Sequence, residues 1–281
     1  MIIKQDWHIH SEHSCDCACM RMEDLVAETA KTGILNYGVS DHLHTSYNMP
    51  DIINSKKNYD LIISKNPVLK DSFHFGIEIS CVSEWELDKI RIGDYQGDVT
   101  YGLRNGGPPN AKPAIGIDKT YIEQMGIEYV IGGVHWPLYC DLDKSSLIKD
   151  YHRQYMFIAQ NECADILAHY LWWNPLPTVD NPFSDFNSVP KSMKQELAFA
   201  LKQHNCAFEI NLEAILLSPD CTDKFKHEYI EYIAELQSMG ITLSIGGDCH
   251  SRHYTEINFE RAAKMIGEAG IDLESNMFYI K

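Results

Sequence analysis

The sequence predicts an α/β barrel. Three observations carry that expectation. Short apolar runs alternate with helical patterns along nearly the whole chain; several helices end in the same Gly-Ile corner; and imidazole and acidic side chains recur near the C-terminal ends of successive strands. Alternation of this kind argues for βα units and a largely parallel sheet. A length of 281 residues suits one large barrel, read here as one domain over 1–281.

Ile2 and Ile3 lead into Asp6-Trp7-His8-Ile9-His10, a short strand ending in two histidines. Residues two apart in a strand share a face, so the two imidazoles stand roughly 6–7 Å apart and can reach one ion. Two such residues also suit the exposed face of an edge strand. A helix over Met22–Lys31 follows, with Leu25, Val26 and Thr29 on one face and a stop at Gly33. Ile34 to Val39 is the next strand, and further strands fall at Phe73–Ile79, Tyr129–Val134, Asp165–Ala168, Ala207–Ile210 and Thr242–Ile245. Gly126-Ile127, Gly240-Ile241 and Gly270-Ile271 each close a helix and open an apolar run, and Asn205 serves the same purpose before Cys206. Between them, Leu147, Ile148, Tyr151, Tyr155 and Ile158 form one stripe of period 3.6, and Phe225, Tyr229, Tyr232, Ile233 and Leu236 another. Both read as core. Two stretches break the rhythm: the Gly- and Pro-rich segment at about 91–117, and the segment at about 170–190 with Trp172, Trp173, Pro175, Pro177, Pro182 and Phe186. Loops of that length point to function.

Composition narrows the function. Hydrophobic residues make up 44% of the chain, enough for a sizeable core, and the formal charge of −16 opposes binding to nucleic acid or an anionic membrane. The N-terminal residues resemble no signal peptide and no apolar run approaches a membrane span, so the expected location is the cytoplasm. Nine scattered cysteines without a CxxC pair read as reduced thiols, with Cys15, Cys17 and Cys19 as an alternative soft-metal cluster.

The candidate ligands line up against the strands. His42 follows the second in Ser40-Asp41-His42, Glu78 sits near the end of the third, and His135 and His169 cap the fourth and fifth. Asp248 and His250 follow the last in Gly246-Gly247-Asp248-Cys249-His250. Barrel enzymes assemble their sites from that end of separate strands, and one histidine placed there means little beside the convergence of many.

This series resembles the PHP family, the polymerase and histidinol phosphatase metal-dependent phosphoesterases, over His8 to His250. The family's HxH with a later Asp or His is matched by His8, His10 and Asp16, and its DH by Asp41-His42. Its Glu, two single histidines and DxH fall on Glu78, His135, His169, Asp248 and His250. The resemblance implies a distorted (β/α)7 TIM-like barrel holding three divalent transition metal ions: zinc, manganese or iron. It implies that His8, His10, Glu78 and Asp248 hold the first, that Glu78 bridges to a second held by His135 and His169, and that Asp16, His42 and His250 hold the third. His13 is an alternative to Asp16.

Three divalent ions set against Glu78, Asp248, Asp16 and a bridging hydroxide leave about +2, which draws a phosphate group into an otherwise acidic protein. The expected activity is hydrolysis of a small phosphorylated metabolite by that hydroxide, in the manner of a histidinol phosphatase, with Glu78 and Asp248 at the catalytic centre. Arg252 is the first candidate for a phosphate-binding cation, then Arg153 and Arg104; His44 and His253 are candidate proton donors. His74, His204 and His227 read as structural. Histidinol phosphatases carry Asp-Tyr directly after the bridging Glu, where this chain has Ile79-Ser80-Cys81, and a Gly-Leu-Arg-like stretch after ExN, where it has Leu212-Glu213-Ala214. The alternatives are a PHP phosphodiesterase or nuclease, a non-catalytic metal-binding PHP domain in which Trp172-Trp173 forms a partner surface, and an amidohydrolase barrel. The last would require a bridging lysine where His135 stands.

Overall fold

Apolar runs too short to be helices pair side by side, and the helices between them cover the outside. The computed structural model describes residues 2–17, 20–174, 176 and 179–280. Cys19, Pro175 and Pro177, which belong to the thiol cluster and the aromatic loop, lie outside the described residues. The first strands are β1 (Gln5–Asp6), β2 (Asn36–Leu43) and β3 (Phe73–Ser80). An antiparallel ribbon of β4 (Val82–Ser83) and β5 (Pro113–Ala114) stands apart, and β6 (Tyr129–Gly133), β7 (Ile166–Leu167), β8 (Ala207–Asn211) and β9 (Leu243–Gly246) complete the sheet. Its order is β1-β2-β3-β6-β7-β8-β9 with every pair parallel. The circle closes through the backbone: Trp7 N–H donates to the Ile245 carbonyl at 2.9 Å, and Asp248 N–H to the His8 carbonyl at 2.6 Å. This is the expected seven-stranded α/β barrel.

The outer layer is α1 (Met22–Thr29), α2 (Met49–Lys65), α3 (Glu84–Arg91), α4 (Lys119–Met125), α5 (Lys144–Gln160), α6 (Lys191–His204), α7 (Asp223–Ser238) and α8 (Phe259–Glu268). Both aromatic stripes are core: Tyr151, Tyr155 and Ile158 of α5 and Tyr229, Ile233 and Leu236 of α7 are buried. Gly126 and Asn205 end α4 and α6 in the left-handed conformation that the sequence assigns to these corners. The lower barrel is filled by Trp7, Tyr129, Ile131, Ile166, Ala168 and Ala207, with Phe278 and Ile280 packed beneath. Tyr129 crosses the interior and donates to the Trp7 carbonyl at 2.7 Å.

Two strand boundaries differ from the sequence expectation. Formal pairing of β1 stops at Asp6, because Ile9 bonds instead to both neighbours: its carbonyl accepts from Ser40 N–H at 2.8 Å, and it bridges to Cys249. β2 runs on through Asp41-His42 to Leu43, so His42 is a strand residue whose register partner is Glu78. The long loop after α3 is broken only by β5, as expected. The aromatic loop is packed, with Trp173, Phe183 and Phe186 buried. No helix among the described residues is long and apolar enough to cross a membrane.

Candidate metal centre

At the C-terminal end of the barrel, the side chains follow from strand geometry. His8 and His10, two apart in extended chain, face the barrel axis from the β1 side. Glu78 enters from β3 and Asp248 from the loop after β9. His8 Nε2 lies 3.0 Å from Glu78 Oε2 and 3.6 Å from Asp248 Oδ1, and His10 Nε2 lies 3.5 and 3.4 Å from the same two oxygens. The other Glu78 oxygen, Oε1, is 3.1 Å from His135 Nε2 and 2.9 Å from His169 Nε2. Asp16 Oδ2 is 3.0 Å from His42 Nε2 and 3.2 Å from His250 Nε2. All nine expected ligands therefore meet in one place. His10 also belongs to the Asp16 cluster, and His42 turns its Nδ1 to within 3.0 Å of Glu78 Oε2, so the clusters share members.

The donor set fits cations. His8 Nδ1 sits 2.6 Å from Glu209 Oε1, a buried carboxylate to which the ring donates, and this bond turns Nε2 toward the other expected ligands. Nε2 faces His10 Nε2 at 3.1 Å and the carboxylates of Glu78 and Asp248. Acceptors converging in a buried space repel one another unless positive charge lies between them. The electrostatics agree for the carboxylates: against the desolvation of complete burial, positive charge on His42 and His8 and a hydrogen bond with His135 hold the Glu78 carboxyl well below its usual range. Asp248 is held low in the same way by His8, His10 and His250. Burial pushes His10 down to about 3 and His135 to about 4, toward the neutral form that binds metal. Against burial, Glu78 and Asp16 take His42 up to about 10, and Asp248, Glu209 and Glu78 raise His8, so that metal binding would displace a proton from each of these two.

Two of the nine occupy left-handed backbone, His169 at φ 29° and Asp248 at φ 56°. Such conformations cost of order 1–3 kcal/mol each and persist only where neighbours enforce them. Here they are enforced: Asp248 N–H is tied to the His8 carbonyl, and His169 N–H donates to Glu209 Oε2 at 2.6 Å. Glu209 also accepts from Asn211 Nδ2 at 3.0 Å, which in turn donates to Asp248 Oδ2 at 3.0 Å. Glu209 and Asn211 thus orient three ligands, a role the sequence reading missed. Their spacing of two along β8, both turned inward, was the available signal.

The centre floors an open cavity of about 460 Å³, walled by Trp172, Glu213, Ala214, Ser218, Asp220 and Ser251. Glu213 and Ala214 belong to a π-helical turn, Leu212–Leu216, that directly follows β8. Burial and the nearby Asp248 raise the Glu213 carboxyl to about 7. Trp172 stands 5.4 Å from the His169 ring and lines the cavity, while Trp173 packs on Tyr151 and Phe183. Trp172 is thus a wall of the cavity and Trp173 part of the core.

Other candidates lie elsewhere. His13 faces Glu12 and Asn58. His253 pairs with Glu28 at 2.9 Å. Arg153 is committed to Asp150 and to the carbonyls of Ala111 and Leu138. Arg252 is exposed and is not among the residues lining the cavity. Arg104 lies on the face of Trp136, beside Tyr101, with no carboxylate within ion-pair distance among the described residues. Cys15 Sγ lies beside His44 at 3.4 Å, whereas Cys17 Sγ reaches the His10 and His250 carbonyls, so these two thiols do not converge. His74 pairs with Glu128 at the other end of β3, and His227 with Glu231 on the outside of α7, both structural as expected.

No family model and no curated protein matches the sequence. Solved structures do match. The chain is similar to histidinol phosphate phosphatase from Lactococcus lactis subsp. lactis, solved in complex with zinc, L-histidinol and phosphate. The two superpose with a TM-score of 0.62 at 17% identity, over 97% of this chain and 95% of that one. The likeness shows a shared fold along nearly the whole of both chains.

Proposed function

We propose that this protein is a metal-dependent phosphoesterase that hydrolyses a monoester of a small phosphorylated metabolite at a trinuclear centre. The observation that carries the reading is the position of Glu78, one oxygen turned to His8 and His10 and the other to His135 and His169. Glu78 would lend a ligand to each of two ions, one with His8 and His10 and the other with His135 and His169, and Asp16, His42 and His250 would hold a third. When bound, zinc, manganese or iron would lower the pKa of a water molecule to supply the nucleophile and offset charge on the phosphoryl oxygens. The resemblance to PHP motifs and the shared fold with a zinc-containing histidinol phosphate phosphatase support the same reading, and make histidinol phosphate the first substrate to try.

The chain's own residues supply the rest. Glu209 and Asn211 hold the ligands in one geometry, so little reorganisation is left for the reaction. Trp172 and the turn carrying Glu213 enclose the leaving alcohol. Among the arginines we assign the cation that grips the phosphoryl group to Arg104, which, like Arg252, lies outside the cavity lining but is half-buried beside the centre. Burial lowers its guanidinium to about 9 against the attraction of Glu86, and it lies over Trp136, whose ring stands 5.3 Å from that of His135.

A screen of phosphorylated metabolites, with histidinol phosphate among them, tests the function in metal-replete protein. The expected result is phosphate release that His135→Ala abolishes. Release unaffected by that substitution, or no turnover of any ester, would overturn it.

A further inference from the structure

Directly after the bridging Glu, where the sequence departs from the PHP pattern, Ser80 sits between two histidines. Ser80 is fully buried, and its Oγ lies 2.8 Å from His135 Nδ1 and 2.6 Å from His44 Nδ1. His44 is 1% exposed. Its ring stacks on His42 at 4.7 Å and is flanked by Trp136 at 5.3 Å and Tyr101 at 5.5 Å. Its other nitrogen, Nε2, meets Cys15 Sγ at 3.4 Å.

A hydroxyl carries one hydrogen, so between two imidazole nitrogens it donates to one and accepts from the other. The direction is decided at the metal end. If His135 Nε2 offers its lone pair toward the ion that Glu78 Oε1 also faces, the ring hydrogen is on Nδ1 and is donated to Ser80. Ser80 must then donate to His44 Nδ1, which places the His44 hydrogen on Nε2, pointing at the Cys15 sulfur. With His135 Nε2 turned to an ion, this is the one arrangement that satisfies every member. The chain joins the loop that carries Asp16 to the ligand His135 on the other side of the centre.

We propose that Ser80 and His44 are positioning residues that lock the tautomer of His135 and so set the metal affinity of the His135–His169 side. This rests on the metal-centre reading above. The two sides are built differently. His8 is braced by the carboxylate of Glu209, which makes its imidazole a stronger ligand. His135 is braced by a neutral hydroxyl, and His169 Nδ1 is buried with no hydrogen-bond partner among the described residues. The second position is therefore the weaker of the two and depends on its relay.

Metal-stripped full-length protein titrated with zinc tests this, with wild type, Ser80→Ala, Ser80→Thr and His44→Phe compared by calorimetry and elemental analysis. In Ser80→Ala one binding step is expected to weaken about 10–100-fold while the others hold. Ser80→Thr, which keeps the hydroxyl, retains the wild-type profile. His44→Phe, which keeps the ring stack but removes the acceptor, weakens the same step. Long-range ¹H–¹⁵N spectra of zinc-loaded wild type, which need no variant, should show His135 protonated at Nδ1 and His44 at Nε2. Wild-type zinc affinity in folded Ser80→Ala, or the opposite tautomer of His44, overturns the proposal and leaves the metal centre standing. Wild-type protein that takes up no zinc overturns both.

Discussion

Gly133→Ala is a one-methyl perturbation aimed at the second metal position. A Cβ at residue 133 would lie 2.5 Å from Glu78 Oε1, 2.6 Å from His135 Cε1 and 3.0 Å from His169 Nε2. Non-bonded carbon contacts are comfortable at about 3.5–4.0 Å, so the Glu78 oxygen must retreat by roughly 1 Å. A displacement of that size in a catalytic group costs on the order of 10²-fold in rate. The overpacking itself destabilises by about 1–3 kcal/mol. Gly132→Ala is the matched control, because adjacent strand residues face opposite sides. Its Cβ would meet Ile158 Cγ2 at 2.5 Å and Cδ1 at 3.0 Å, in the layer between sheet and α5. Elemental analysis and thermal unfolding read both variants. The expected outcome is comparable destabilisation in each, with loss of metal and about 10²-fold loss of turnover in Gly133→Ala alone. Full metal content and turnover in Gly133→Ala would refute the placement of an ion between Glu78, His135 and His169.

Further outcomes follow from the same geometry. Glu209→Gln removes two charge-assisted bonds, to the His8 ring and the His169 backbone, and should weaken metal binding about 10–100-fold in a zinc titration. Arg104→Gln should raise the KM for a phosphate ester and weaken inhibition by inorganic phosphate about 10²-fold, while Arg252→Gln leaves both unchanged; equal effects would return Arg252 to contention. The Glu128 carboxyl sits below its usual 4.5: desolvation works against this, but hydrogen bonds from His74 and from Phe75 N–H outweigh it. A lowered carboxylate pKa stabilises the fold above the unfolded value and loses that contribution as pH falls through the folded one. Glu128→Gln should therefore be less stable than wild type at neutral pH, by about 1 kcal/mol for a part-exposed bond, with the gap closing in acid. A gap independent of pH in denaturant unfolding would contradict the assignment.

The ligands were legible because each is fixed by strand direction and not by tertiary detail. A residue at the C-terminal end of a barrel strand points to one common region whatever the loops do, so His8, His10, Glu78, His135 and His169 could be placed from period and position alone. Asp248 and His250 could be placed as the residues that follow the last strand, and Asp16 needed the family resemblance, since it reaches the centre from a loop far from any strand end. Three things were not legible. Glu209 looked like an ordinary strand residue, because its importance lies in a hydrogen bond to His8 some two hundred positions away. The choice among arginines depends on which carboxylates neutralise them, and only the fold shows Arg153 committed to Asp150. The extension of β2 through His42 was hidden because Asp41 and His42 read as loop residues. In the fold, Asp41 is buried and satisfied by Ser11 and Ser55, so a polar strand end is tolerated there.

The most direct test of the central claim is metal stoichiometry joined to activity in one preparation, wild type beside Glu78→Ala. The account predicts about three equivalents of transition metal in the wild type, phosphate release from a small monoester, and near-complete loss of that release when the bridging carboxylate is removed. Wild-type protein that holds no metal, and gains no activity with manganese or zinc, would contradict it.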